Sequence, residues 1–346
     1  MSVAPTRVLI VDDSRTIRAL VRNLLSRDPR IEVAGEAADP FEAREAIKSL
    51  SPDVITLDVE MPRMNGLEFL ANLMRLRPLP VVMVSSLTNK GSAAAIKALQ
   101  LGAIECIDRE ELQRDVAGGS RLCEVVLMAA GARVAPRETV TAAVRRGGYR
   151  PDGRILMIGS STGGVDALER VFSRFPEMCP PTLVSQHMPP AFLASFAARL
   201  NDTLRPKVRL ARTGDVPEAG TILIAPGGDT HLALAGSAIS PRLQLVPDDG
   251  THTHVPSVDV MFASAVSRAR DVVAAILTGM GRDGAAGLLA LRQAGARTFA
   301  QSGESCVVDG MPRVARELGA AMRVVPLDRM GDALLGACGE AVEVTP

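Results

Sequence analysis

Short apolar runs alternate with amphipathic stretches five times over the first 115 residues of the chain. The apolar runs, each predicted to be a strand, are RVLIVDD, EVAGEA, PDVITLDVEMP, LPVVMVSS and IECID. After the first run, Ile17, Leu20, Val21, Leu24 and Leu25 recur at helical spacing. Near-continuous apolar strands separated by helices are typical of a parallel sheet with both faces covered. The pattern predicts an α/β domain of five βα repeats.

A second α/β pattern begins at Arg154. Its predicted strands are RILMIGSS, PTLVSQH, GTILIAP, VVAAILTG and the shorter RTFAQ, after which SCVV is ambiguous. The predicted helices are ALERVFSRF, AFLASFAARL, VDVMFASAVSRAR and AAGLLALRQAG. We therefore expect a second domain that is doubly wound and mainly parallel.

Glycine and proline punctuate the residues between the two patterns, although RLCEVVLMAAGARV could form one helix. We predict domains over residues 6–115 and 153–346, joined by a linker over 116–152. A chain of 346 residues fits two domains.

Composition excludes several classes of protein. The 39 basic residues balance the 39 acidic ones, and there is no Trp and one Tyr, so a nucleic-acid partner is disfavoured. Five cysteines without a CxxC pair argue against a zinc module or a disulfide framework. The N-terminus MSVAPTRVLIVDD is not a signal peptide, and no long uncharged apolar stretch follows. We expect a cytoplasmic protein without membrane insertion.

Polar side chains end three predicted strands of the first domain. Asp12 and Asp13 end the first strand, Asp58 the third and Ser85 the fourth. Ligands of open parallel sheets bind beyond the carboxyl ends of the strands. Clustered carboxylates repel one another unless a cation neutralises them, and hard oxygen ligands suit Mg²⁺. Such a carboxylate could accept a phosphoryl group. The alternative is that each aspartate caps the helix that follows it.

The second domain opens with a GxSxG turn, Gly159 to Gly163, between a predicted strand and a helix. Ser161 is the candidate nucleophile at the tip of this turn. The alternative is a phosphate-binding loop, although the motif is not GxGxxG and no acid ends a second strand about 20 residues on.

A serine nucleophile needs a base and an acid that orients the base. His187 ends the next predicted strand and is the candidate base, while Asp283 follows VVAAIL and is the candidate acid. Asp283 could instead cap the helix that follows it. The order Ser, His, Asp differs from that of the α/β-hydrolases. The competing histidines are His231, His252 and His254, of which the last two could suggest a metal, although nothing else nearby completes a ligand set.

The stretches VLIVDDSRTIR, DVITLDVEMPRMNG, PVVMVSS and ALQLGA resemble response-regulator receiver domains, which have a flavodoxin-like (βα)5 fold. The resemblance implies that Asp58 is the phosphoacceptor. It also implies that Asp13, Asp58 and the Glu60 carbonyl bind Mg²⁺, that Asp12 acts through water, and that the Ser85 hydroxyl contacts the phosphoryl group.

The first domain departs from the receiver pattern at the end of its fifth strand. Arg109 and Glu110 stand where receivers carry Lys and Pro, and Cys106 replaces the usual aromatic switch residue. Arg109 could still pair with phosphate or with Asp58, but its planar fork differs from a compact ammonium.

The stretches IGSSTGG, QHMPP, LTGMGRDGA, HVPSVDVMF, APGGDTHL and SCVVDGMPR resemble the chemotaxis response-regulator protein-glutamate methylesterases, the CheB family. The resemblance implies that Ser161 is the nucleophile, His187 the general base and acid, and Asp283 the orienting acid. Thr162 and the Met280 backbone amide would form the oxyanion hole. This chain departs from the family in having valine after His254, where a basic residue is common.

The same resemblance implies an enzyme that demethylates glutamate γ-methyl esters of methyl-accepting chemoreceptors and deamidates receptor glutamines. A chemotaxis histidine kinase would be the phosphodonor, the receiver would inhibit until phosphorylated, and the esterase site would need no cofactor. Two alternatives stay open: an atypically regulated or constitutive esterase of another chemosensory pathway, and a receiver with a binding-only output domain.

Overall fold

The computed structural model describes residues 4–61, 65–85, 89–114, 121–134, 148–237 and 239–342. The chain divides into two compact units, Met1–Thr139 and Val140–Pro346. Within the described residues, no helix has both the length and the apolar character that a membrane crossing requires.

A five-stranded parallel sheet forms the first unit, with strand order β2-β1-β3-β4-β5. The strands are β1 (Thr6–Val11), β2 (Ile31–Ala37), β3 (Val54–Asp58), β4 (Val81–Ser85) and β5 (Glu105–Asp108). The helices are α1 (Arg15–Leu25), α2 (Pro40–Leu50), α3 (Gly66–Leu76), α4 (Asn89–Leu101), α5 (Arg109–Arg114) and α6 (Arg121–Ala130). The predicted βα repeats and the parallel sheet are confirmed.

Local sequence explains where these elements begin. All five residues of β3 are buried, as expected for a central strand of a covered parallel sheet. The side chains of Ser14, Asp39 and Asn65 accept hydrogen bonds from the first amides of α1, α2 and α3. Helix α6 lies in the segment predicted as linker and packs against α1 and the sheet of this unit. The predicted boundaries themselves stay predictions.

The second unit contains a seven-stranded parallel sheet with strand order β15-β14-β13-β7-β8-β10-β9. Its strands are β7 (Ile155–Ser160), β8 (Thr182–Gln186), β9 (Lys207–Leu210), β10 (Thr221–Ile224), β13 (Val272–Ile276), β14 (Arg297–Gln301) and β15 (Arg323–Val325). Two antiparallel pairs accompany it: β6 (Gly148–Pro151) with β16 (Gly339–Val342), and β11 (Thr230–Ser237) with β12 (Ser240–Pro247). The doubly wound, mainly parallel fold is therefore confirmed.

Helices cover this sheet and close its core. They are α7 (Gly164–Phe172), α8 (Pro190–Thr203), α9 (Val258–Ala263), α10 (Ala285–Gln293), α11 (Met311–Glu317) and α12 (Leu327–Cys338), with 3₁₀ helices at Val266–Asp271 and Gly303–Ser305. The predicted helix VDVMFASAVSRAR is thus divided in two. The ambiguous SCVV forms no strand.

The strands that the apolar pattern missed are short or lie at sheet edges. In β9 one residue of four is fully buried, and in β15 one of three. A strand that faces water along one side lacks a continuous apolar run, so its periodicity does not distinguish it from a loop.

Candidate active site

Ser161 is the first residue after β7, at the crevice where the strand order of the second unit reverses. The chain leaves β7 towards β8 on one side and later enters β13 on the other, and such a switch point is where α/β sheets bind ligands. The Ser161 N–H donates to the Thr278 carbonyl at 3.0 Å, and the Gly164 N–H donates to the Ser161 carbonyl at 2.7 Å. These bonds hold Ser161 in a tight turn before α7.

Two glycines allow this turn. Gly163 has φ +77°, a left-handed conformation, and a Cβ there would lie 2.7 Å from the Val307 Cβ. A Cβ on Gly279 would lie 2.7 Å from the Ser161 Cβ. The loop after β13 can therefore approach Ser161 only because position 279 has no side chain.

Strand register brings His187 next to Ser161. In the parallel pair of β7 and β8, Ser160 lies opposite Gln186, so Ser161 and His187 leave the sheet side by side. The His187 N–H donates to the Ser160 carbonyl at 3.1 Å. The Gln186 side-chain amide donates to the carbonyls of both Ser161 and His187, at 2.9 and 3.0 Å. One buried glutamine thus ties the two loops together.

Asp283 meets His187 from the loop after β13. Its Oδ2 lies 2.7 Å from His187 Nε2. The same carboxylate accepts the Ser257 hydroxyl at 2.9 Å and the amides of Val258 and Asp259 at 2.7 and 3.0 Å. The alternative that Asp283 serves as the N-cap of α10 is wrong. That cap is Gly284, which makes no side-chain cap bond, and Asp283 instead binds the first amides of α9.

These donors keep the Asp283 carboxylate ionised. Burial alone would raise its pKa, but the hydrogen bond and charge of His187 and the amides of Val258 and Asp259 hold the pKa below its usual range. An ionised carboxylate can only accept, so the neutral form of the His187 ring carries its proton on Nε2.

The other ring nitrogen of His187 is therefore the basic one. Nδ1 is buried and has no hydrogen-bond partner among the described residues. Ser161, with 8% of its surface exposed, makes no hydrogen bond to it. Nucleophile–base contacts are often long before substrate binds and tighten in the complex. The geometry supplies an oriented base beside a serine at a sharp turn.

Met280 and Thr162 lie on the two loops that flank Ser161. The Met280 amide has no acceptor within the described part of the chain, and its side chain is 41% exposed. Thr162 is buried, and its carbonyl accepts the Thr278 hydroxyl at 3.0 Å. An open amide at the switch point can donate to a developing oxyanion.

The three competing histidines also lie in the second unit. His254 stacks on His187, with ring centroids 4.1 Å apart and an interplanar angle of 20°. His252 and the buried His231 both contact Asp248 Oδ1, at 3.0 Å each. The expectation that nothing completes a ligand set with His252 is wrong, because one potential ligand atom from each of His231, Asp248 and His252 lies within 4.8 Å of the other two. His254 does not join that set.

Sequence reasoning named neither Gln186 nor Ser257. Each lies next to a motif that it did single out: Gln186 precedes His187 in QHMPP, and Ser257 stands inside HVPSVD. A polar residue directly before a strand-end histidine was the available signal. Nothing in the sequence indicated that Ser257 would reach Asp283.

In the first unit, the acidic residues predicted at the strand ends do meet. One carboxylate oxygen from each of Asp12, Asp13 and Asp58 lies within 4.8 Å of the other two. Asp12 and Asp58 are buried, and Asp13 is exposed. Arg109 reaches across them, with Nη2 at 2.7 Å from Asp58 Oδ1 and 3.2 Å from Asp12 Oδ2. The predicted pairing of Arg109 with Asp58 is confirmed.

Burial and the charge of Asp12 raise the pKa of Asp58 to about 7, although Arg109 opposes the rise. Asp58 Oδ2 is buried and has no hydrogen-bond partner among the described residues. An unsatisfied carboxylate oxygen beside two further carboxylates fits a hard cation such as Mg²⁺.

Three further residues were singled out in this unit: Glu60, Ser85 and Cys106. The Glu60 side chain is exposed, and its backbone carbonyl follows β3 by two residues. The Ser85 side chain lies outside the described part of the structure. Cys106 is buried, with its Sγ 3.6 Å from the Ala95 carbonyl.

Comparisons with known families agree with both units. The CheB methylesterase family model matches residues 156–334, and the response regulator receiver domain model matches residues 8–116. The crystal structure of the Thermotoga maritima CheB methylesterase catalytic domain has a TM-score of 0.51 with this chain at 36% identity. The structural match covers 54% of this chain and 98% of the crystallised domain.

Two relatives match over nearly the full length. The protein-glutamate methylesterase/protein-glutamine glutaminase 1 of Caulobacter vibrioides is 50% identical over 344 residues, covering 96% of this chain and 98% of the relative. The protein-glutamate methylesterase/protein-glutamine glutaminase of Rhizobium etli is 48% identical over 342 residues, covering 96% of each chain. The chain is therefore an enzyme of the CheB methylesterase family, with a response regulator receiver domain ahead of its methylesterase domain.

Proposed function

We propose that the second unit hydrolyses γ-methyl esters of glutamate side chains in chemoreceptors, with Ser161 as nucleophile, His187 as general base and Asp283 as orienting acid. One observation carries the assignment of roles. Asp283 accepts the Nε2 proton of His187, so Nδ1, which is buried and has no partner among the described residues, is the nitrogen that can take the proton of Ser161.

The reaction then runs in two halves. Ser161 Oγ attacks the ester carbonyl while its proton passes to His187 Nδ1. The negative oxygen of the tetrahedral intermediate rests on the Met280 amide and on Thr162, and one such donor contributes about 2.7–4 kcal/mol. His187 returns the proton to the departing methoxide, which leaves as methanol.

Water completes the cycle. His187 takes a proton from the water that attacks the acyl-serine and passes it to Ser161 Oγ as the bond between Oγ and the acyl carbon breaks. The glutamic acid side chain so formed loses its proton to solvent. A glutamine side chain presents the same carbonyl with ammonia as leaving group. The same residues would therefore deamidate receptor glutamines.

The receiver would control this activity through Asp58. We assign Asp58 as phosphoacceptor, with Asp13, Asp58 and the Glu60 carbonyl holding Mg²⁺ and Asp12 acting through a water. The metal would offset negative charge on the transferring phosphoryl group. Arg109 and the Ser85 hydroxyl would contact the phosphoryl oxygens, and a chemotaxis histidine kinase would be the donor. Phosphorylation would shift the enzyme towards an active arrangement.

The test is methanol release from a methylated chemoreceptor fragment, measured with and without acetyl phosphate and Mg²⁺. Ser161→Ala should release no methanol under either condition. Ser173→Ala is the matched control, because Ser173 is exposed at the far end of α7 and its hydroxyl donates to the Arg170 carbonyl. Release by Ser161→Ala at the rate of the control would overturn the assignment of the nucleophile.

A further inference from the structure

His231 is a buried histidine that the proposed reaction does not use. It lies in β11, and its side chain is 1% exposed. Both of its ring nitrogens are engaged. Nδ1 accepts the Ser257 N–H at 2.9 Å, and Nε2 lies 3.0 Å from Asp248 Oδ1. A histidine with two defined partners has a fixed ring orientation.

The partners also determine the tautomer. A backbone N–H can only donate, so Nδ1 of His231 must present its lone pair to Ser257. The ring proton therefore lies on Nε2 and is donated to Asp248. A metal ion held by His231, Asp248 and His252 would need the lone pair of that same Nε2, and metal-bound histidines normally donate their other N–H. The cluster is thus hydrogen-bonded, and its geometry disfavours a metal.

Ser257 connects this cluster to the proposed catalytic acid. It is 2% exposed, and while its N–H is held by His231, its hydroxyl donates to Asp283 Oδ1 at 2.9 Å. The next two amides, of Val258 and Asp259, also donate to Asp283. The residue that His231 holds therefore begins a run of three consecutive donors to one carboxylate.

We propose that His231 is a positioning residue of the esterase site, which acts through Ser257 on Asp283 and so on the ring of His187. Asp248 orients His231, His231 holds Ser257, and the Ser257–Asp259 segment holds Asp283. Two Asp–His pairs are thereby joined in series. This inference rests on the roles proposed above for Asp283 and His187.

Two amide substitutions separate the two hydrogen bonds of His231. In His231→Asn, the side-chain oxygen lies where Nδ1 was and can still accept the Ser257 N–H. In His231→Gln, the amide nitrogen lies where Nε2 was and can still donate to Asp248, but Ser257 loses its acceptor. Both variants place a polar amide in the same cavity. His252→Asn is the control for the outer end of the network, because His252 contacts Asp248 and the edge of the His231 ring but makes no hydrogen bond to Ser257 among the described residues.

The first measurement is the steady-state kinetics of methanol release, with the folded fraction determined by circular dichroism. We expect His231→Gln to lower kcat by about 10–100-fold with KM within about threefold, as for an interaction made in the transition state alone. His231→Asn should retain kcat within about threefold, and His252→Asn within about twofold. Equal losses in the Asn and Gln variants, or none in Gln, would overturn the proposal.

The second measurement does not depend on catalysis. The chain has four histidines, so selective ¹⁵N labelling gives four resolvable imidazoles. The His187 Nε2–H resonance should shift in His231→Gln and stay near its position in His231→Asn and His252→Asn. An unshifted resonance in folded His231→Gln would refute the coupling even if kcat fell. If Ser161→Ala were active, the proposed function would fail, while this readout would still decide whether His231 positions His187.

Discussion

Asp58 and Asp283 are carboxylates at the carboxyl edges of two parallel sheets, one in each unit, and their surroundings differ. Asp58 is buried, and the Asp283 side chain is 14% exposed. Asp283 accepts bonds from His187, Ser257, Val258 and Asp259. Asp58 Oδ1 forms a salt bridge with Arg109, while Oδ2 is buried and has no hydrogen-bond partner among the described residues. The pKa of Asp283 is lowered, and burial raises that of Asp58 to about 7.

The difference indicates what each carboxylate is for. A fully satisfied carboxylate has one charge state and one orientation, which suits an acid that must hold a histidine in the same tautomer through a reaction cycle. A carboxylate with an unsatisfied oxygen retains affinity for a cation or an incoming phosphoryl group. The esterase site is preorganised, whereas the receiver pocket is incomplete until a ligand arrives.

The largest effect is expected at the satisfied carboxylate. Asp283→Asn should lower kcat for methanol release by about 10⁴-fold, because the amide no longer fixes the Nε2 proton of His187. Steady-state methanol assays measure this, with Asp271→Asn as control since Asp271 is exposed. A loss smaller than about tenfold would mean that Asp283 does not orient the base.

The next largest effect is on the free energy of unfolding and comes from Asp58, the carboxylate with an unsatisfied oxygen. Between pH 3.8 and about 7, the unfolded chain has released the proton that folded Asp58 still holds. The free energy of unfolding of the first unit should therefore fall as pH rises through this window in the absence of Mg²⁺.

Asp58→Asn, which cannot ionise, should be more stable than wild type at pH 8 by up to about 4 kcal/mol and indistinguishable from it below about pH 4. Calorimetric unfolding in a chelator measures the difference. Glu60→Gln, at an exposed neighbouring position, should leave the pH profile unchanged. A pH-independent gain in Asp58→Asn would show that packing, and not charge, is responsible.

The smallest effect concerns Arg109. Its guanidinium contacts both Asp58 and Asp12, so it competes with a divalent cation for the same negative charge. Arg109→Ala should raise the Mg²⁺ affinity by about tenfold, measured from the dependence of the thermal midpoint of the first unit on Mg²⁺. Lys97→Ala, exposed on the same unit, is the control. Weaker Mg²⁺ binding in Arg109→Ala would show that Arg109 organises the pocket instead of competing with the metal.

Much of both sites was predictable because parallel sheets have a simple rule. Buried strands appear as apolar runs, and the residues that end those runs meet at one edge of the sheet. Asp58 ends a buried strand, Ser161 and His187 directly follow two others, and Asp283 lies in the loop after a fourth, so a pattern with a period of a few residues was enough to locate them. The pairing of Arg109 with Asp58 was instead expected from the resemblance to receiver domains, in which Arg109 takes the place of a lysine.

The hydrogen-bond network that runs from Asp248 through His231 and Ser257 to Asp283 cannot be predicted from strand ends in this way. His231 comes from an antiparallel hairpin, Asp248 directly follows it, and Ser257 lies at the start of a six-residue helix. Ser257 is separated from both His231 and Asp283 by 26 positions, and none of these contacts repeats along the chain. No local periodicity encodes a hydrogen bond of that kind.

The sequence by itself determined the buried strands, most of the helices, their parallel arrangement and the candidate residues at the strand ends, because burial and helical or strand periodicity are properties of neighbouring residues. Only the tertiary structure decided that, among the described residues, His187 Nδ1 is buried without a partner while both ring nitrogens of His231 are bonded, and which carboxylate is satisfied. Those properties depend on donors and acceptors that come together from distant segments, and a buried polar atom is satisfied or left unpaired only once those segments have folded against one another.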